Sequence, residues 1–247
     1  MFLQSFQIHP GMSPSEIVLQ DHRTADVFRK YQIEYCCTGR LPLEKVCAIQ
    51  NLIFTELKAE LETAMQPLQL PPGVPFDTWD IDFLSRYITH VHHTYVKTAL
   101  PQTAMLLKEF AEEHKKKYPY MMQVYDQCEM LGKVFLPHLH HEEETVFPYI
   151  RQIAQALRSN ESYGKLLVKT FRKPLDNVGD KKENISSVIE QMRALTSNYT
   201  PPAKACVNHL VVLQKLKELD IDTAQHMYLE HQILFPKAID IEKRLLQ

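Results

Sequence analysis

His138-Leu-His-His-His141-Glu142-Glu-Glu-Thr-Val-Phe147-Pro148 and His226-Met-Tyr-Leu-Glu230-His-Gln-Ile-Leu-Phe235-Pro236 carry one pattern twice: His-x-x-x-Glu, then Phe-Pro five residues after the Glu. On an α-helix, residues i and i+4 lie on one face about a turn apart, so each copy aims an imidazole and a carboxylate at the same point. Two such helices packed together bring two His and two Glu into the middle of a bundle. That donor set suits a first-row metal such as iron, manganese or zinc, and bundle cores are where such sites are built. A lone His-x-x-x-Glu is more often a surface contact. A second copy with the same Phe-Pro offset makes that the minority reading. The pair therefore predicts an all-α fold with a metal held between helices.

The rest of the chain agrees with a helical protein. Its 247 residues suffice for one large domain or two ordinary ones, and 45% hydrophobic content supports a full core. Only 6 glycines are present, which disfavours a turn-rich β fold. A net charge of −2 advertises neither a nucleic-acid nor a membrane partner. The start, Met1-Phe-Leu-Gln-Ser-Phe-Gln-Ile-His-Pro10, lacks a basic lead and a sustained apolar run, so no secretory leader is expected there. Five cysteines without scaffold spacing fit a reducing compartment, and the expected localisation is cytoplasmic.

Along the chain, residues 1–65 read as a small helical domain. Ser13-Pro14-Ser15-Glu16 is a capping-box start, and short helices follow from Thr24, Leu43 and Asn51. Residues 66–78 are rich in proline and hostile to helix, a stiff linker. Residues 79–247 read as an antiparallel four-helix bundle. On its first long helix Phe83, Leu84, Tyr87, Ile88, Val91 and Tyr95 form the expected inward stripe. The same helix offers His90, His92 and His93, and spacing alone does not choose among them.

Two groups of motifs make the chain resemble the iron–sulfur cluster repair proteins with a hemerythrin-like di-iron domain, the RIC family. Ala25-Asp-Val-Phe28-Arg29-Lys30-Tyr31 and Tyr35-Cys36-Cys37-Thr-Gly39 match its short N-terminal domain. His92-His93-Thr-Tyr95, Leu100-Pro101, the two His-x-x-x-Glu segments, Arg172-Lys173-Pro174 and Thr200-Pro201-Pro202 match its bundle. The resemblance implies His93, His138, Glu142, His226 and Glu230 as metal ligands. It pairs His93 with His138 on one metal and leaves His226 for the other, with Glu142 and Glu230 bridging. Two non-haem irons are implied, with zinc or manganese as other occupants.

One departure stands out. The family carries a further His on its third bundle helix, and register places Lys182 there; no histidine occurs from Arg151 to Ala205. Val178, Lys182, Ile185, Ile189 and Met192 also share one helical face. A protonated lysine has no lone pair to give. The altered position is therefore expected to weaken the second metal, leaving occupancy nearer one iron than two. Asp180 and Glu183 are the nearest substitutes, and His140, His141 and His209 are spare imidazoles.

Adjacent cysteines make a poor chelate, whereas Arg29, Lys30 and Arg40 nearby favour a thiolate. The resemblance gives Cys36 and Cys37 a redox or metal-transfer role. It implies a stress-response protein that repairs iron–sulfur clusters damaged by nitric oxide or oxidants, by donating iron or reacting with the small oxidant. Damaged iron–sulfur proteins and nitric oxide, dioxygen or peroxide would be its partners, and a homodimer is allowed. The rival readings are a hemerythrin-type dioxygen or nitric oxide binder, and a single-metal or metal-free interaction module. Whether the chain is an enzyme stays open at this point.

Overall fold

The computed structural model of the chain describes residues 6–36, 41–65, 74–159, 163–171, 175 and 178–247, with the side chains of residues 171 and 178–183 outside that description. The described residues are helical throughout their regular structure and contain no strand. The chain divides into two units, residues 1–71 with 199–215, and residues 72–198 with 216–247.

The first unit opens on α1 (Pro14–Gln20), whose start is the capping box read from sequence. The Glu16 amide donates to Ser13 Oγ at 3.3 Å, and the Ser13 amide donates to Glu16 Oε2 at 2.8 Å. Two orphan donors of the helix start are thereby satisfied. Then come α2 (Thr24–Lys30), α3 (Leu43–Gln50) and α4 (Phe54–Ala64). α3 ends on Asn51 at φ 55°, a left-handed cap that asparagine tolerates. Ile17, Ala25, Phe28, Leu43, Leu57 and Leu61 are buried. Glu60 on α4 accepts from Lys30 Nζ at 2.7 Å and Tyr31 Oη at 2.6 Å, tying it to the end of α2.

The second unit is built from long helices, three of which are interrupted by a wide π-turn. α5 (Ile81–Tyr87) runs through a π-turn (Ile88–His93) into α6 (Thr94–Glu113). α7 (Tyr120–His141) runs through a second (Glu142–Val146) into α8 (Phe147–Arg158). α9 (Gly164–Phe171) and α10 (Val178–Leu195) follow. α11 (Val207–Tyr228), which belongs to this unit from Leu216 onward, runs through a third π-turn (Leu229–Leu234) into α12 (Phe235–Leu246). α6 and α7 pack on each other across the short link 114–119, and α10 packs on α7. Below the π-turns, α5, α8 and α12 enclose a core of Leu84, Ile88, Phe147, Ile150, Leu234 and Phe235. Burying each such side chain contributes roughly 1.5–3 kcal/mol.

The π-turns give the repeated Phe-Pro a physical meaning. In each copy the phenylalanine amide donates to a carbonyl five residues back: Phe147 to Glu142, Phe235 to Glu230. The next bond of that type would need an amide at Pro148 or Pro236, and proline has none, so the wide turn cannot continue. In the first helix the Thr94 amide reaches back to Thr89 in the same way. An extra residue in a turn also shifts the helix phase. Leu84 and Ile88 of the expected inward stripe are buried and Phe83, ahead of the turn, is 55% exposed; within the turn the stripe fails, with Val91 43% exposed. Beyond the turn the buried face continues through His92, His93, Val96 and Leu100 instead.

Candidate metal centre

The three π-turns deliver the side chains that the sequence singled out. His93 is the last residue of the first turn, Glu142 the first of the second, and Glu230 lies in the third. His138 and His226 sit in the last turns of α7 and α11, one helical turn ahead of their carboxylates. All five are buried, with Glu142 at 1% and Glu230 at 0% exposure. Each carboxylate taken out of water costs several kcal/mol, roughly, unless positive charge or hydrogen bonds replace its hydration.

The donor atoms converge. His93, Glu142, His226 and Glu230 each present one ligand atom, all within 4.8 Å of one another. His93 Nε2 lies 3.2 Å from His226 Nε2, and His226 Nε2 lies 2.8 Å from Glu230 Oε1. His93 Nε2 is also 3.7 Å from Glu142 Oε2 and 3.9 Å from Glu230 Oε1. Donors on one cation at bond lengths near 2.0–2.2 Å sit about 2.8–3.6 Å apart, the range these distances centre on. Two imidazole nitrogens facing each other beside two buried carboxylates form a set whose lone pairs a divalent cation satisfies, so the residues fit a metal ion.

His138 stands to one side. Its Nε2 lies 3.2 Å from Glu142 Oε1, the oxygen opposite the one facing His93. The structure therefore corrects the expected pairing: His93 meets His226. The reason lies in the bundle, where the first and last long helices bring their π-turns together. Of the other histidines on the first helix, His90 is exposed, and buried His92 holds Asp222 Oδ1 at 2.8 Å through Nδ1. His140 is exposed, and buried His209 belongs to the first unit. The side chains of Lys182, Asp180 and Glu183 lie outside the described residues, as does all of Cys37. Cys36 is half-buried.

Two residues that sequence reasoning passed over fix His93. Glu143 Oε1 lies 2.8 Å from His93 Nδ1, and Lys97 Nζ holds both Glu143 oxygens at 2.7 and 2.6 Å. With Nδ1–H donating to the carboxylate, the Nε2 lone pair is left pointing inward. The available signal was the i, i+4 spacing of His93 and Lys97 facing an acid next to a ligand carboxylate. Partial burial works against ionisation of Glu143, but the hydrogen bonds from Lys97 and then His93 prevail and hold its pKa below the usual 4.5. Burial likewise opposes ionisation of Glu230, and is outweighed by the charge and hydrogen bond of His226, the hydrogen bond of His93 and the charge of His138; its carboxyl stays well below the ordinary range. Both groups are carboxylates at neutral pH.

Phe147 stacks on His93 with centroids 5.4 Å apart, and Phe135 stacks on His226 at 5.5 Å and His138 at 6.2 Å. These rings wall the donors in apolar surface, which strengthens every charge interaction inside.

This geometry agrees with what the chain is similar to. Residues 86–238 match the hemerythrin HHE cation-binding domain, and residues 13–65 match a domain of unknown function, DUF542, also called ScdA_N. The chain belongs to the hemerythrin HHE cation-binding family. The cation of that domain is non-haem iron, and the buried His/Glu cluster is able to hold it. Relatives share both parts. The iron–sulfur cluster repair protein ScdA of Staphylococcus haemolyticus is 25% identical over 228 residues, covering 90% of this chain and 96% of the relative. The iron–sulfur cluster repair protein YtfE of Enterobacter sp. strain 638 is 26% identical, covering 91% and 94%. YtfE of Escherichia coli O81 is likewise 26% identical over 228 residues.

Proposed function

We propose that this protein repairs damaged iron–sulfur clusters, using iron held by His93, His138, Glu142, His226 and Glu230. The observation that carries the reading is the buried convergence of His93, Glu142, His226 and Glu230 in a chain that also carries the N-terminal Cys-Cys domain. Bound iron supplies either a metal to return to a broken cluster or a redox centre for the nitric oxide or peroxide that broke it. The chain's own residues set the conditions. Glu143 keeps the proton of His93 on Nδ1. Glu142 and Glu230 match the cation's charge, and the phenylalanine walls exclude water. Among the described residues no helix is long and apolar enough to cross a membrane. The partners are iron–sulfur proteins met in the same compartment, which we take to be the cytoplasm.

Cys36 and Cys37 separate repair from simple gas binding. The test uses a dehydratase whose four-iron cluster has been damaged by nitric oxide, incubated with iron-loaded protein, and recovery of its activity is measured. Recovery should require the loaded protein and should fail with the Cys36→Ser/Cys37→Ser double variant while its bundle iron is retained. Equal recovery with free ferrous iron would sink the repair reading in favour of a gas binder, and an unimpaired double variant would remove Cys36 and Cys37 from the mechanism.

A further inference from the structure

We infer that the centre is asymmetric by construction: it holds one cation tightly between His93, His226, Glu142 and Glu230, and offers only a weak second position beside His138. The inference rests on the metal-centre reading above and adds its stoichiometry and order of filling.

The asymmetry is visible in how the carboxylates are shared. Glu142 points Oε2 at His93 and Oε1 at His138, so it borders both positions. Glu230 commits Oε1 to His226, and its buried Oε2 has no hydrogen-bond partner among the described residues. The first position thus gathers two imidazoles and a carboxylate oxygen from each glutamate. From the described side chains the second would draw His138 Nε2, Glu142 Oε1 and Glu230 Oε2, one imidazole and two oxygens whose charge the first cation already shares. A second divalent ion there also meets the repulsion of the first across a few ångströms of protein.

The helix packed against α7, which carries His138, does not supply the missing donor from its described side chains. α10 presents Ile185, Val188, Ile189 and Met192 inward, all apolar. The sequence has no histidine from Arg151 to Ala205, so no imidazole can come from that stretch. Phe135 fills one side of His138, stacked at 6.2 Å. His138 is placed as a neighbour of Glu142, and the tight position is complete without it.

The test titrates the metal-free full-length protein anaerobically with Co2+ alone, following visible absorption and, by equilibrium dialysis, the metal bound per chain. One equivalent should bind tightly and a second about 100-fold or more weakly, since loss of a direct ligand exceeds the 10–100-fold typical of an outer partner. His138→Ala should keep the tight equivalent within about tenfold, whereas His226→Ala should lose it. Circular dichroism checks that each variant is helical, and His138→Gln replaces a variant that is not. Two equivalents of equal affinity, or equal loss in His138 and His226 variants, overturn the asymmetry while leaving the metal centre standing. Failure of the unmodified protein to bind Co2+ at all overturns the metal-centre reading and this inference with it.

Discussion

The two His-x-x-x-Glu-x4-Phe-Pro segments have the same local structure and different surroundings. In both, the His ends a long helix, the Glu enters a π-turn, and the phenylalanine amide closes that turn on the glutamate carbonyl. Yet His226 lies 2.8 Å from its own glutamate and 3.2 Å from His93, inside the four-donor cluster. His138 lies 3.2 Å from Glu142 and outside that cluster. Local sequence sets the His–Glu spacing and the turn. The neighbouring helices decide how much of each pair enters the site: His93 meets both His226 and Glu230 of the second copy, but of the first copy the cluster takes Glu142 alone.

If the two copies are equivalent as structure, they should fail alike. Phe147 and Phe235 sit in the same core at the exits of their turns, and truncating either to Ala should cost about 3–5 kcal/mol of stability. Denaturant unfolding of the metal-free protein measures both. A difference of more than about 2 kcal/mol between them would show that the turns are not structural equals.

The metal should then contribute unequally. Chelation should lower stability by about 2.7 kcal/mol relative to protein with free metal at about 100 times its Kd. In His138→Ala the same chelator-sensitive increment should persist, because the tight position does not use His138. Melting curves with and without chelator decide this, and an increment abolished by His138→Ala would make the copies equal partners after all.

The smallest effect concerns the His93 side. Glu143→Gln removes the charge that holds His93 Nδ1–H and Lys97, and should weaken the tight metal about 10–100-fold without altering helicity. Glu143 has a folded pKa below the usual 4.5, so its contribution is complete above that value and is lost as pH falls through the lower folded pKa. The unmodified protein should therefore keep this part of its stability down to about pH 4.5, and Glu143→Gln should flatten the acid limb below it. Urea unfolding across about pH 3–6 measures the difference. An unchanged acid limb would remove Glu143 from the anchoring of His93.

Much of this was legible in the residues. The capping box at Ser13 and Glu16, the all-helical fold and the burial of His93, His138, Glu142, His226 and Glu230 follow from spacing, pattern and resemblance. The π-turns were not read, although the Phe at five residues from each Glu is the hydrogen-bond donor that closes them. That omission displaced the predicted inward face beyond Ile88, putting exposed Val91 where His92 and His93 belong, whereas exposed Phe83 precedes the turn and was simply placed on the wrong face.

The sequence by itself determined which side chains share a helical face, because i, i+4 geometry is a property of the backbone and needs no partner. It also determined that residues 151–205 bring no imidazole. Only the tertiary structure decided that His93 meets His226, that Glu142 divides its two oxygens between His93 and His138, and that Glu143 with Lys97 fixes the proton of His93. Apart from the i, i+4 pair His138 and Glu142, those contacts join residues separated by 46 to 133 positions along the chain. Their distances depend on how three π-turns rotate their helices and how those helices pack, a sum of many weak contacts that no local pattern encodes.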